Sequence, residues 1–160
     1  MRFKVFLLSL LFSIPCYASD RYKEILHGLS KDYYITYTED SKIVAQLRMP
    51  IKYITLNRKY MDRLSDNEVA WVLSHEMGHT TTSMVRNYHE DEYRVDSIAL
   101  EMVRKIGYEF DREDMLSIGK KLRVSNSEDS ETHPAWSKRV NRMFPSEQRM
   151  VIENDRVIIK

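Results

Sequence analysis

Two histidines and a glutamate stand in the order His75-Glu76-Met77-Gly78-His79, one residue after the apolar run Val69-Ala70-Trp71-Val72-Leu73. Residues four apart on a helix share one face, so both imidazoles can grip one metal ion from the same side. Glu76 then stands beside the ion without binding it. The chemistry this supports is metal-assisted hydrolysis: His75 and His79 hold Zn2+, and Glu76 is the general base on a zinc-bound water. Only three positions are fixed, so the surroundings must carry the rest. The plain alternative is a helix with two unrelated histidines.

A catalytic zinc takes three protein ligands and keeps one position open. His89, Glu90, Asp91, Glu92 and Asp96 fall in one window after the pair. Glu92 and Asp96 are one helical turn apart and continue the apolar stripe of Val95, Ala99, Met102 and Val103, so both point inward. Buried carboxylates need a metal or hydrogen bonds to offset their desolvation. His89, Glu90 and Asp91 read as solvated residues at the helix N-terminus. The metzincin pattern fails, because Thr82 and Val85 occupy the positions where it needs Gly and His.

Several elements must position these groups. Ser65-Asp66-Asn67-Glu68 reads as a capping box that starts the metal helix. Apolar residues nearly all round that helix predict burial, which strengthens an ion's pull on water. Gly78, between the ligands, suits close approach of a partner helix. Upstream, Asp20 to Lys31 predicts a short amphipathic helix. Tyr33–Thr38, Ile43–Leu47 and Ile51–Leu56 predict strands, with Pro50 interrupting. The edge at 51–56 or 43–48 could pair with an extended peptide, or the sheet could be scaffold alone. Asn57–Leu64 predicts a helical turn, and Gly107 ends the second-ligand helix. Asp111 caps a helix carrying Met115, Leu116, Ile118 and Leu122. Ser125 to Glu131 is a polar loop that either gates the site or only covers surface. Pro134–Phe144 predicts a short helix, and Val151–Ile159 a terminal hairpin.

The whole chain fits a folded enzyme. Its 160 residues, 42% apolar and 31% charged, exclude disorder. With 25 Lys+Arg against 24 Asp+Glu, no net field points to nucleic acid. Arg2 and Lys4, then the apolar stretch Val5–Ile14, Pro15 and Cys16-Tyr17-Ala18, read as a secretory signal peptide over 1–18, cut after Ala18. The rival is lipoprotein processing at Cys16. Cleavage after Ala18 would remove the only cysteine and both basic residues, turning the net charge from +1 to −1. The expected mature chain, 19–160, forms one domain without disulfides and without a transmembrane segment, periplasmic or secreted.

His75-Glu76-Met77-Gly78-His79 followed by Glu92-Tyr93-Arg94-Val95-Asp96 resembles the gluzincin peptidases of the HtpX, Oma-type and CAAX-prenyl-protease family, with its BepA-like periplasmic members. Ile106-Gly107-Tyr108-Glu109 and Thr132-His133-Pro134, with Arg139 six residues after His133, resemble further family signatures. The likeness spans roughly residues 33–144. It implies an α+β fold, a mainly helical zincin-like domain with a small antiparallel sheet before the metal helix, and zinc-dependent endopeptidase activity on protein or peptide substrates. By motif, His75, His79 and Glu92 match zinc ligands, Glu76 the general base, and Asp96 a carboxylate that orients a ligand histidine. His133 and Arg139 match residues near the open metal position. There either could stabilise an oxyanion, or His133 could cap the zinc as a removable fourth ligand. The short gap from His79 to Glu92 lacks the segment many members insert there. A metal-stapled, non-catalytic binding or chaperone-like module is the alternative.

Overall fold

The computed structural model describes residues 20–81, 88–124, 128–145, 150–153 and 156–159. The leader expected at 1–18 lies outside them. Helix α1 (Arg21–Leu29) starts where the Asp20 carboxylate accepts from the Tyr22 N–H, and it buries Tyr22, Ile25 and Leu26. Three four-residue strands follow: β1 (Tyr34–Tyr37), β2 (Ala45–Arg48) and β3 (Tyr53–Leu56). A single turn, α2 (Arg58–Met61), leads to α3 (Asp66–Gly78), which tightens into a 3-10 turn over His79–Thr81. Then come α4 (Tyr88–Lys105), α5 (Arg112–Leu122), α6 (Trp136–Met143) and a hairpin of β4 (Met150–Glu153) with β5 (Arg156–Ile159).

The architecture is α+β, with a small sheet before the metal helix. The sheet is mixed, however, and not wholly antiparallel. Its order is β1-β3-β2, with β3 parallel to β1 and antiparallel to β2. The reason is burial. Ile54 and Leu56 are fully buried and Thr55 nearly so, which places β3 in the centre. Residues 51–56 are therefore no edge. Of the two edges expected to receive a peptide, only β2 is one. Val44 C=O accepts from Asn57 N–H at 2.9 Å, so even-numbered residues of this strand turn their backbone groups inward and Ala45 and Leu47 turn theirs outward.

The metal helix α3 lies at the core. Its capping box forms in full: Ser65 Oγ accepts from Glu68 N–H, and the Glu68 carboxylate accepts from Ser65 N–H at 2.6 Å. Glu68 is itself buried and takes two bonds from Lys121 Nζ, which tie α3 to α5. Val69, Ala70, Trp71, Val72 and Leu73 pack into the main apolar cluster. Gly78 matches its expectation. A Cβ there would sit 2.9 Å from Val95 Cγ1, so the glycine lets α4 approach closely enough to deliver its carboxylates. Gly107 ends α4 with φ +88°, and Asp111 caps α5 with a second capping box. None of the helices among the described residues is long and apolar enough to cross a membrane.

Candidate metal centre

The packed pair α3 and α4 carries the site. His75 and His79 project from the last turns of α3, and Glu92 from the first turns of α4. One ligand atom from each of the three lies within 4.8 Å of the others. His75 Nε2 is 3.5 Å from Glu92 Oε2, and His79 Nε2 is 3.6 Å from Glu92 Oε1. Burial and the neighbouring His75 push the His79 imidazole down from its ordinary value, which favours the neutral, ligating form. Glu92 is 4% exposed, and its Oε2 has no hydrogen-bond partner among the described residues. The Arg139 guanidinium stands 3.3 Å away as an ion pair, and a buried carboxylate oxygen that accepts no hydrogen bond is further stabilised by a bound cation. Two imidazoles and a carboxylate are also a donor set that Zn2+ accepts. The residues present fit the ion.

Asp96, one turn further along α4, faces the other side of the His75 ring. Its Oδ1 lies 3.1 Å from His75 Nδ1. Burial pushes the Asp96 carboxyl up, but the adjacent Arg139 guanidinium outweighs it and holds the group below its ordinary value. An ionised Asp96 can only accept. It therefore fixes the proton on His75 Nδ1 and leaves the Nε2 lone pair facing Glu92 and His79.

Arg139, on α6, lies behind the ligands. It is 5% exposed. Nε donates to Asp96 Oδ2 at 2.8 Å and Nη2 to Asp96 Oδ1 at 2.5 Å, while Nη1 stands 3.3 Å from Glu92 Oε2. Its cation also lies over the Trp136 ring, 4.8 Å from the centroid. Sequence reasoning put it beside the open metal position as an oxyanion donor. Two of its nitrogens donate to Asp96, and a third forms an ion pair with Glu92.

His133 is half-exposed at the mouth, its Nε2 3.6 Å from Glu92 Oε1 and its Nδ1 2.8 Å from Thr132 Oγ1. The loop before it is tied down. Asp129 accepts from Ala135 N–H and pairs with Lys138, and Ser130 bonds both ends of His133's backbone. His89, read as a solvated cap residue, instead bonds Ser130 C=O at 3.0 Å. That contact joins residues 41 apart, and no local pattern announces it. Residues 125–127, part of the expected gating loop, lie outside the described residues.

Glu76 is half-buried beside the triad. Its Oε2 accepts from the outward-facing Leu47 N–H at 2.8 Å. Sequence reasoning missed Leu47; the alternation of strand 43–48 could have marked it as one of two residues with outward backbone groups. A cleft of about 580 Å³ runs along β2 and is walled by His75, Glu76, His79, Glu92 and His133.

Comparison with curated proteins and with solved structures gives no match. The family model of Peptidase family M48 matches residues 28–88, which take in the sheet and the whole metal helix and end four residues before Glu92. That match supports the M48 metallopeptidase family, and His75, His79 and Glu92 form a cluster that could hold a metal ion.

Proposed function

We propose that the protein is a zinc-dependent endopeptidase of the HtpX- or BepA-like kind, acting on envelope or misfolded proteins after export. The observation that carries this is the meeting of His75, His79 and Glu92 from two helices, with Glu76 beside them in an open cleft bounded by a strand edge. When bound, the ion supplies Lewis acidity, which acidifies water and polarises a carbonyl. The chain's own groups do the rest. An extended substrate adds to the outer edge of β2, where Ala45 and Leu47 present backbone groups. Glu76, held by Leu47 N–H, accepts a proton from the attacking water and returns it to the leaving amine. His133 stands at the mouth to donate to the oxygen that gains charge. Asp96 and Arg139 position the ligands and touch no substrate.

The test is incubation of the purified protein with unfolded casein, with and without chelator, alongside a metal assay. Stoichiometric zinc and chelator-sensitive cleavage are expected. Glu76→Gln should keep the metal and lose turnover by a factor of at least ~100. Wild-type cleavage by Glu76→Gln overturns the role of Glu76. Stoichiometric metal without any cleavage points to a metal-stapled binding module.

A further inference from the structure

We propose that the turn joining β2 to β3, with Tyr34 beside it, seats the protein on a bilayer that carries anionic headgroups. The claim goes beyond the peptidase reading and does not depend on it. Ile51, Tyr34 and Met49 are 63%, 59% and 55% exposed, the highest values among the large apolar side chains of the described residues. The fold gathers all three at one end of the sheet. Arg48 pairs with Tyr53, so Met49-Pro50-Ile51-Lys52 closes a four-residue turn. Tyr34 pairs with Tyr53 across the parallel ladder, and the two rings lie 5.6 Å apart. Exposed apolar side chains scattered singly need no explanation, but a cluster at a protruding turn marks a surface that something covers.

The charge at this end identifies the cover. Over the whole chain the two signs nearly cancel, at 25 basic against 24 acidic residues. Around the turn they do not. Arg48 stands exposed at its base, Lys52 Nζ lies 5.4 Å from the Tyr33 ring centroid, and Lys31 shares a groove with Tyr34. Asp32 pairs with Lys52 at 3.7 Å, and no carboxylate among the described residues pairs with Lys31 or Arg48. An apolar tip ringed by cations and tyrosines matches a bilayer interface. Met49 and Ile51 reach the acyl boundary, the tyrosines sit at headgroup level, and the basic groups meet lipid phosphates. A second copy on the same surface would instead set like charges against each other. Met49 also ends the cleft along β2, so a seated protein holds that cleft at the lipid surface.

The test is flotation of the protein recovered after export, with vesicles of phosphatidylcholine alone or of phosphatidylcholine and phosphatidylglycerol in equal parts. Every variant must carry the same N-terminus by mass spectrometry. Anionic vesicles should bind at least about tenfold more tightly than neutral ones, and added salt should erase that difference. Lys31→Gln and Arg48→Gln should each weaken binding about fivefold. Ile51→Ser should weaken it about tenfold or more, whereas Val124→Ser, at an exposed apolar residue outside the turn, should change nothing. Melting temperatures should stay at the wild-type value. Ile51→Trp gives a local reading: brominated acyl chains should quench its fluorescence, while the wild-type emission from Trp71 and Trp136, both buried, should be spared. Absence of binding to either vesicle, binding indifferent to the Ile51 and cation variants, or an unquenched Ile51→Trp overturns the proposal. Self-association without lipid that Ile51→Ser abolishes also overturns it and assigns the patch to a second copy.

Discussion

Replacing Arg139 by Met separates a positioning role from a direct catalytic one. The substitution keeps an apolar stem of similar length against Trp136 and removes the cation. Two carboxylates then lose their partner: Asp96, 1% exposed, with bonds of 2.8 and 2.5 Å, and Glu92, 4% exposed, at 3.3 Å. Breaking a buried pair from one side costs about 3–5 kcal/mol. For a chain of this length that lowers the melting temperature by on the order of 10 °C in metal-free protein. With Asp96 loosened, His75 loses the contact that fixes its tautomer, and zinc affinity should fall ~10–100-fold. Calorimetry of the metal-free protein and competition with a chromophoric chelator measure the two quantities. If Arg139 instead touched the reacting carbonyl, kcat would fall while melting and metal affinity stayed put. A metal-free melting point within about 2 °C of wild type, with unchanged zinc affinity, refutes the reasoning.

Other outcomes follow from the same geometry. Leu47→Pro removes an outward-facing strand N–H, a backbone change an edge strand tolerates, and trims a half-buried side chain packed against the core. It should leave the circular dichroism spectrum intact and lower kcat/KM ~10–100-fold, the worth of one hydrogen bond to a charged group. Asp96 sits below its ordinary carboxyl value in the fold, so its contribution to stability is present above about pH 4 and is lost as pH falls through the folded value. Urea titrations between about pH 6 and pH 3 should show that loss in the wild type and less of it in Asp96→Asn. Gly119→Ala would drive a methyl into the Trp136 indole, and it should lower stability by about 1–3 kcal/mol in thermal melts.

The local signals in the sequence were strong where a single element decides the outcome. Ser65 and Glu68 announced the start of α3, Asp111 that of α5, and the spacing of Glu92 and Asp96 on one apolar stripe their inward turn. Whatever depends on how distant elements meet was harder to read. All three strands are four residues long, and β1 (Tyr34-Ile35-Thr36-Tyr37) and β3 (Tyr53-Ile54-Thr55-Leu56) read almost alike, so no pattern within them tells which is central. Only burial of Ile54 and Leu56 beneath the helices makes β3 central and leaves β2 as the edge. Arg139 belongs to the same class. Its spacing from His133 linked it to the site, but only the packing of α6 on α4 shows which of its neighbours is a carboxylate. His89 and Leu47 were silent because each acts through one contact to a residue far along the chain.

Charge balance at the centre explains why an arginine stands behind a metal site at all. Glu92 and Asp96 bring two formal negative charges into a buried space, and Glu76 adds a third at its edge. A divalent cation alone would leave one negative charge uncompensated where desolvation is expensive. Arg139 supplies the missing positive charge and places it on Asp96, to which two of its nitrogens donate. Glu92 and Glu76 would then carry two negative charges toward a bound divalent ion, which His75 and His79 would help to hold. On this account Arg139 and the metal are complementary: the guanidinium neutralises the carboxylate that must stay an acceptor for His75, and the ion neutralises the pair that faces the cleft. Loss of Arg139 should therefore weaken the hold on the ion together with the fold. The melting increment given by zinc should be smaller at every zinc concentration in a variant that retains Asp96 but lacks Arg139, because the stabilisation grows with ln(1 + [Zn]/Kd) and the dissociation constant has risen.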